Sequence, residues 1–79
     1  MTTFTLEETD TFGREANYCW CHREELTVPD TLTDLALVRR AKATMGWSGV
    51  RCRREDYGDL IALYPYGSCT VLFIIPEFQ

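Results

Sequence analysis

The sequence predicts a single small α+β domain, with one helix packed on an antiparallel sheet of four to five strands in the order ββαβββ. Three observations predict it. A length of 79 residues limits the chain to one domain. Apolar and polar residues alternate toward both ends of the chain, and one central segment has the helical period. The composition, 46% hydrophobic and 25% charged, is typical of a globular protein rather than a disordered one.

Two strands are predicted in the first third of the chain. Residues 3–7 alternate, which is typical of a strand with one buried face. The polar segment 9–14, which contains Gly13, predicts a turn. Residues 15–23 alternate again, and their aromatic and thiol content favours a strand covered on both sides. A helix over 12–20 is the competing interpretation, because part of this segment also follows the helical spacing.

A helix is predicted from Thr31 to about Met45. Thr31 followed three residues later by Asp34 resembles a capping box, and Gly46 is a natural stop at the C-terminal end. The apolar residues at the helical period predict a buried stripe. These residues are Leu32, Leu35, Val38, Ala41 and Met45.

The last third predicts an antiparallel meander. Strands are expected over 49–54, 60–64 and 69–75, with turns at 55–58 and 65–68. The last of these strands is nearly all apolar and rich in β-branched and aromatic residues, so we expect it at the centre of the sheet.

Charge is divided unevenly along the chain. Residues 1–34 carry eight carboxylates and two arginines, a net of −6, whereas residues 35–79 carry four carboxylates and six bases, a net of +2. An acidic surface can steer a small domain toward a basic partner, including a protein groove built for nucleic acid. The alternative is a solvated face that keeps the protein soluble. The predicted partner-binding residues are Glu7, Glu8, Asp10, Glu15, Glu24, Glu25, Asp30 and Asp34.

One basic cluster offers a second hypothesis, binding of phosphate backbones with help from Trp47 and Tyr57. Its alternative is a solvent face of the helix together with outward positions of an edge strand, where charge discourages aggregation. The sequence pI of about 4.8 argues against general nucleic-acid binding. The cluster consists of Arg39, Arg40, Lys42, Arg51, Arg53 and Arg54.

The cysteines and the single histidine, His22, are candidates for metal binding. Paired zinc ligands usually have two to four residues between them, and Cys19 and Cys21 have one, so free buried thiols are expected instead, with no metal and no cofactor. His22 follows Cys21 directly, and neighbours in a strand point to opposite faces, which disfavours a thiolate–base pair. The chain has no nucleophile elbow, P-loop or dinucleotide fingerprint, and we predict no enzymatic activity. The cysteines are Cys19, Cys21, Cys52 and Cys69.

The longest apolar stretch is too short to span a bilayer, and no basic segment followed by an apolar one begins the chain. The sequence therefore predicts a cytoplasmic protein with reduced thiols and no membrane partner. It does not determine the oligomeric state, for which a monomer is favoured.

Three segments carry a resemblance to a known family. They are residues 34–42 (DLALVRRAK), 49–56 (GVRCRRED) and 66–71 (YGSCTV). In overall character the chain resembles small phage-encoded anti-CRISPR proteins that act on type I systems, with type I-C as the candidate subtype. The resemblance implies a non-enzymatic inhibitor in the cytoplasm of an infected bacterium. It would bind a subunit of the CRISPR surveillance complex, Cascade, and occupy the basic path of target DNA as a DNA mimic, without binding nucleic acid itself.

Overall fold

The computed structural model describes residues 1–13 and 15–77. Within these ranges the chain forms one five-stranded sheet and one helix. The strands lie in the order β2-β1-β5-β4-β3, and each neighbouring pair is antiparallel. The elements are β1 (Thr2–Phe12), β2 (Glu15–Val28), α1 (Asp34–Thr44), β3 (Cys52–Tyr57), β4 (Leu60–Pro65) and β5 (Thr70–Pro76).

The predicted fold class, an α+β domain with one helix packed on a four- to five-stranded sheet as ββαβββ, is wrong. Of the described residues, strands take 58% and helix 14%, so the architecture is mostly sheet with one short helix. The first two strands account for the difference, because they are 11 and 14 residues long and continue through segments that we expected to be turn or loop.

The polar segment after Glu8 belongs to the sheet, and the turn predicted over 9–14 is wrong for its first four residues. Thr9 to Phe12 continue β1, because threonine has a high preference for strands and β2 lies alongside to pair with them. Gly13 then adopts a left-handed backbone, with φ +60°, at the start of the hairpin turn. The competing helix over 12–20 is also wrong, since β2 begins at Glu15.

Strand β2 is an edge strand, and the prediction that it is covered on both sides is wrong. It pairs only with β1, and eleven of its 14 residues are exposed. Burial is confined to the end that enters the core, where Leu26 is half-buried and Val28 is 2% exposed. Aromatic and thiol side chains thus lie in solvent along most of this strand.

The core lies between the helix and one face of the sheet, which we call the helix-covered face. Side chains alternate along each strand, so every second residue reaches this face. The helix adds to it only two buried residues, Leu37 and Ala41, with Met45 following at the C-cap, and Leu35, predicted in the buried stripe, is 60% exposed. The buried core cluster consists of Leu6, Val28, Leu37, Ala41, Met45, Ile61, Leu63, Leu72 and Ile74.

The helix begins two residues later than the capping-box pattern predicts. Thr33, not Thr31, is the N-cap, and its side-chain oxygen accepts a hydrogen bond from the backbone N–H of Ala36 at 3.2 Å. Gly46, with φ +77°, follows the helix end as expected.

We expect Thr33→Ala to lower the free energy of unfolding by about 0.5–2 kcal/mol, because an N–H of the first turn loses its acceptor. Thr31→Ala is the matched control, since Thr31 is exposed and should change stability by less than about 0.5 kcal/mol. Urea unfolding followed by circular dichroism measures both. A larger loss for Thr31→Ala would place the cap where the sequence pattern put it.

The C-terminal meander agrees in part with the prediction. β5 lies at the centre of the sheet, as its apolar sequence indicates, so this prediction is confirmed. β3 starts at Cys52 and continues to Tyr57, so the turn expected over 55–58 is wrong for its first three residues. The chain reverses at Gly58 and Asp59. On the face opposite the helix, the open face, Phe73 lies between Glu7 of β1 and Ala62 of β4.

Candidate protein-binding surface

The β1–β2 hairpin carries the whole net charge of the chain. Residues 2–28 contain six carboxylates and two arginines, a net of −4, which equals the net charge of the full sequence. The remaining residues contain six carboxylates and six basic side chains, which cancel. Three of the carboxylates, Glu15, Glu24 and Glu25, lie on β2, the exposed edge of the sheet, where a large partner can reach them.

Four of the eight predicted carboxylates lie along this margin, and we call them the acidic edge: Glu15, Glu24, Glu25 and Asp30. Glu24 lies opposite Leu6 and Glu25 opposite Thr5, so the two point to different faces of the hairpin. Within residues 1–13 and 15–77, Glu25 makes no hydrogen bond or ion pair. Glu24 contacts only His22, at 2.9 Å.

Asp30 is the last residue of the acidic edge and lies two residues beyond the end of β2. Its carboxylate accepts a hydrogen bond from the Thr2 hydroxyl and lies 3.2 Å from the N-terminal ammonium group. Both contacts stabilise the ionised form and hold the pKa of Asp30 below its ordinary value, the hydroxyl having the larger effect. The residue therefore stays negatively charged in mildly acidic solution.

The other predicted carboxylates are occupied by contacts within the protein. Glu7, 9% exposed, lies 3.0 Å from the Nε of Arg23 on the open face. Asp10 accepts hydrogen bonds from the Asn17 side chain and from the backbone N–H of Cys19, both at 2.9 Å.

These contacts hold the hairpin where the β1–β2 pairing becomes irregular, between Thr9 and Thr11. Glu8 and Asp34 are also engaged. Glu8 accepts a hydrogen bond from Trp47 Nε1 at 3.0 Å, and Asp34 lies 3.4 Å from Arg54 Nη2. The single acidic surface that we predicted is therefore divided between an exposed edge and a set of internal contacts.

Exposed aromatic side chains adjoin the acidic edge, and sequence reasoning missed them. Phe12 is 80% exposed, Tyr18 54% and Trp20 43%, although the last two were assigned to a covered strand. Tyr18 has a positive φ of 55°, and burial together with the Glu7 carboxylate raises the pKa of its hydroxyl. In the sequence these residues were visible only as an aromatic pair, Tyr18 and Trp20, in a segment flanked by acids. A buried strand shows the same pattern, so the sequence did not distinguish the two cases.

The predicted basic cluster does not form one free surface. Arg53 lies 3.3 Å from Glu55 and stacks over the Tyr64 ring at 4.9 Å, while Arg54 pairs with Asp56 at 2.9 Å as well as with Asp34. β3 is the second edge of the sheet, which fits the alternative interpretation of charged outward positions.

The cysteines do not form the buried set that we expected. Cys19, Cys21 and Cys69 are exposed, so the prediction of core thiols is wrong for these three. Cys52 is half-buried, and burial raises the pKa of its thiol. The described part of the chain holds no group of three or more His, Cys, Asp or Glu side chains placed to hold a metal ion.

No known protein family, curated protein or solved structure matches this chain. Among residues 1–13 and 15–77, no helix is long and apolar enough to cross a membrane. The geometry of the hairpin is therefore the basis for a functional proposal.

Proposed function

We propose that this chain is a small protein-binding inhibitor that uses its acidic edge to occupy a basic groove on a larger partner. The observation that carries the proposal is the concentration of the full net charge of −4 on one hairpin, whose second strand, β2, is an exposed edge of the sheet. The resemblance to phage anti-CRISPR proteins names the partner within this proposal: a DNA-binding subunit of a type I, and specifically type I-C, Cascade complex.

Two features of β2 support a role as a DNA mimic. Successive residues of a β-strand lie about 3.4 Å apart along its axis and point to opposite faces, so neighbouring acids present negative charge on both sides of an edge. The carboxylates of Glu24 and Glu25 stand on such a strand, at an edge with no neighbouring strand to cover them. A groove lined with lysine and arginine would find negative charge on both faces of this edge.

A pull-down from a bacterial host that expresses a type I-C CRISPR complex tests the proposal. We expect the tagged chain to retain the complex at about 0.1 M salt and to lose at least tenfold in affinity by about 1 M, as the screening length falls from roughly 10 to 3 Å. Electrophoretic assays with purified complex should then show less target DNA bound. Retention that does not change with salt, or no retention at all, would contradict the acidic-edge mechanism.

The alternative function is a small nucleic-acid-binding module, and one observation favours it. Arg39 and Arg40 are exposed on α1 and make no ion pair within the described ranges. A gel shift at low salt with single-stranded DNA, double-stranded DNA and RNA separates the two functions. A shift at micromolar protein that Arg39→Ala and Arg40→Ala remove would favour the basic cluster over the acidic edge.

A further inference from the structure

A groove of about 290 Å³ lies on the helix-covered side of the hairpin, past the end of the helix. Its walls come from three parts of the chain: strand β1, the connection between α1 and β3, and the β4–β5 turn. This volume is near the lower end of ligand pockets, roughly 300–1,000 Å³. The side chains that line it include Glu8, Trp47, Val50, Pro65, Tyr66 and Thr70.

The groove presents one carboxylate, that of Glu8, among apolar and aromatic side chains. Trp47 Nε1 donates to Oε1 of Glu8 at 3.0 Å, which fixes the carboxylate at the groove wall. The other oxygen, Oε2, has no hydrogen-bond donor within the described residues. Val50 and Pro65 supply apolar contact, and Tyr66, 70% exposed, supplies a second aromatic ring at the rim.

A carboxylate with one unused oxygen beside two aromatic rings is suited to a cation. The carboxylate provides a charge-assisted hydrogen bond, and the ring faces attract positive charge. Asp10 adds negative potential from the same strand, because it lies opposite Thr70 of the groove. Arg51 lines the adjoining concavity with Tyr66, so one positive charge lies beside the groove.

We propose that this groove binds one lysine or arginine side chain of the basic partner. This inference rests on the proposed function and deepens it, because it adds a specific anchor to the diffuse attraction of the acidic edge. The alkyl stem of the side chain would lie against Val50 and Pro65, and its charged end would reach Oε2 of Glu8. Such a pair, partly shielded from water, contributes more than an exposed ion pair.

The test measures the fluorescence of Trp47, one of the two tryptophans of the chain. In a Trp20→Phe background Trp47 is the only tryptophan, so its fluorescence reports on the groove. We expect N-acetyl-lysine amide or N-acetyl-arginine amide to give a saturable change with Kd on the order of 1 mM, as for a ligand of this size. N-acetyl-norleucine amide, which keeps the alkyl chain and lacks the charge, should give none below about 20 mM.

Two variants make the test specific. Glu8→Gln keeps an acceptor for Trp47 but removes the charge, and should weaken lysine amide binding at least tenfold. Asp59→Asn removes one negative charge at the β3–β4 turn, outside the groove, and should change binding less than twofold. If Glu8→Gln fails to fold in a thermal unfolding control, Tyr66→Ala replaces it, because its exposed ring carries little of the stability.

The outcomes separate the groove from the wider proposal. Equal binding of norleucine and lysine amides, or an unchanged Kd in both groove variants, would overturn the inference while pull-down of the partner still stands. Binding of lysine amide with no partner retained would overturn the proposed function and leave a groove for cations. Loss of both probe and partner binding in Glu8→Gln supports the groove as the anchor.

Discussion

Reversing three charges of the acidic edge, with Glu24→Lys, Glu25→Lys and Asp30→Lys together, is expected to weaken partner binding at least 100-fold. The change adds six units of positive charge to the margin that faces the basic groove. Attraction becomes like-charge repulsion, which costs several kcal/mol at an interface and also slows association. Glu24 and Glu25 are exposed and Asp30 lies past the end of β2, so the fold should survive.

The control for this experiment makes the same charge change at the other edge of the sheet. The control is Glu55→Lys, Asp56→Lys and Asp59→Lys together, on β3 and the turn that follows it. The ion pairs of Glu55 with Arg53 and of Asp56 with Arg54 lie at the surface and contribute only about 0–1 kcal/mol each. We expect this triple variant to bind within about tenfold of the unmodified chain, because only long-range steering is affected. Biolayer interferometry against immobilised complex compares the two. Equal losses would mean that overall charge, not the acidic edge, determines binding.

Replacing Leu72 by alanine is expected to lower the free energy of unfolding by about 2–5 kcal/mol. Leu72 is fully buried on the central strand β5, and its register partners are Glu8 on β1 and Leu63 on β4. A cavity there removes packing from both neighbouring strands at once. For a domain of this size the loss is a large fraction of the usual 5–15 kcal/mol of stability.

Leu35→Ala is the matched control, because it is the same substitution at a position that the helical period predicted to be buried. Leu35 is 60% exposed, so the change should stay within about 0.5 kcal/mol. Urea unfolding with a common slope gives both values. A loss above 2 kcal/mol at Leu35 would mean that the predicted buried stripe is correct and that the helix packs differently.

Periodicity located the central elements well, because it reports which residues share a face. The near-continuous apolar run in β5 is typical of a strand with a neighbouring strand on each side, so its central position could be predicted. Periodicity does not report whether a face is covered. For that reason the aromatic residues of β2 looked buried, although the strand order leaves β2 at the edge.

The candidate site shows the same limit. The uneven charge along the chain was visible in the sequence, but which carboxylates remain available depends on contacts that only folding creates. Asp10 is held by Asn17 within the hairpin, while Glu8 meets Trp47, 39 positions away. No local pattern relates residues so far apart, so the groove between them could not be predicted from the sequence.

The pairing of the first strand with the last has a consequence for how the protein folds. Leu6 lies opposite Ile74, and Glu77 N–H donates to Thr3 O at 2.9 Å, so the centre of the sheet joins residues from the two ends of the described chain. To form such non-local pairs the chain must first close a long loop, which costs conformational entropy before the stabilising contacts are made. We therefore expect folding in the millisecond-to-second range rather than in microseconds. During synthesis the acidic hairpin is made before β5, so its central neighbour in the sheet arrives later.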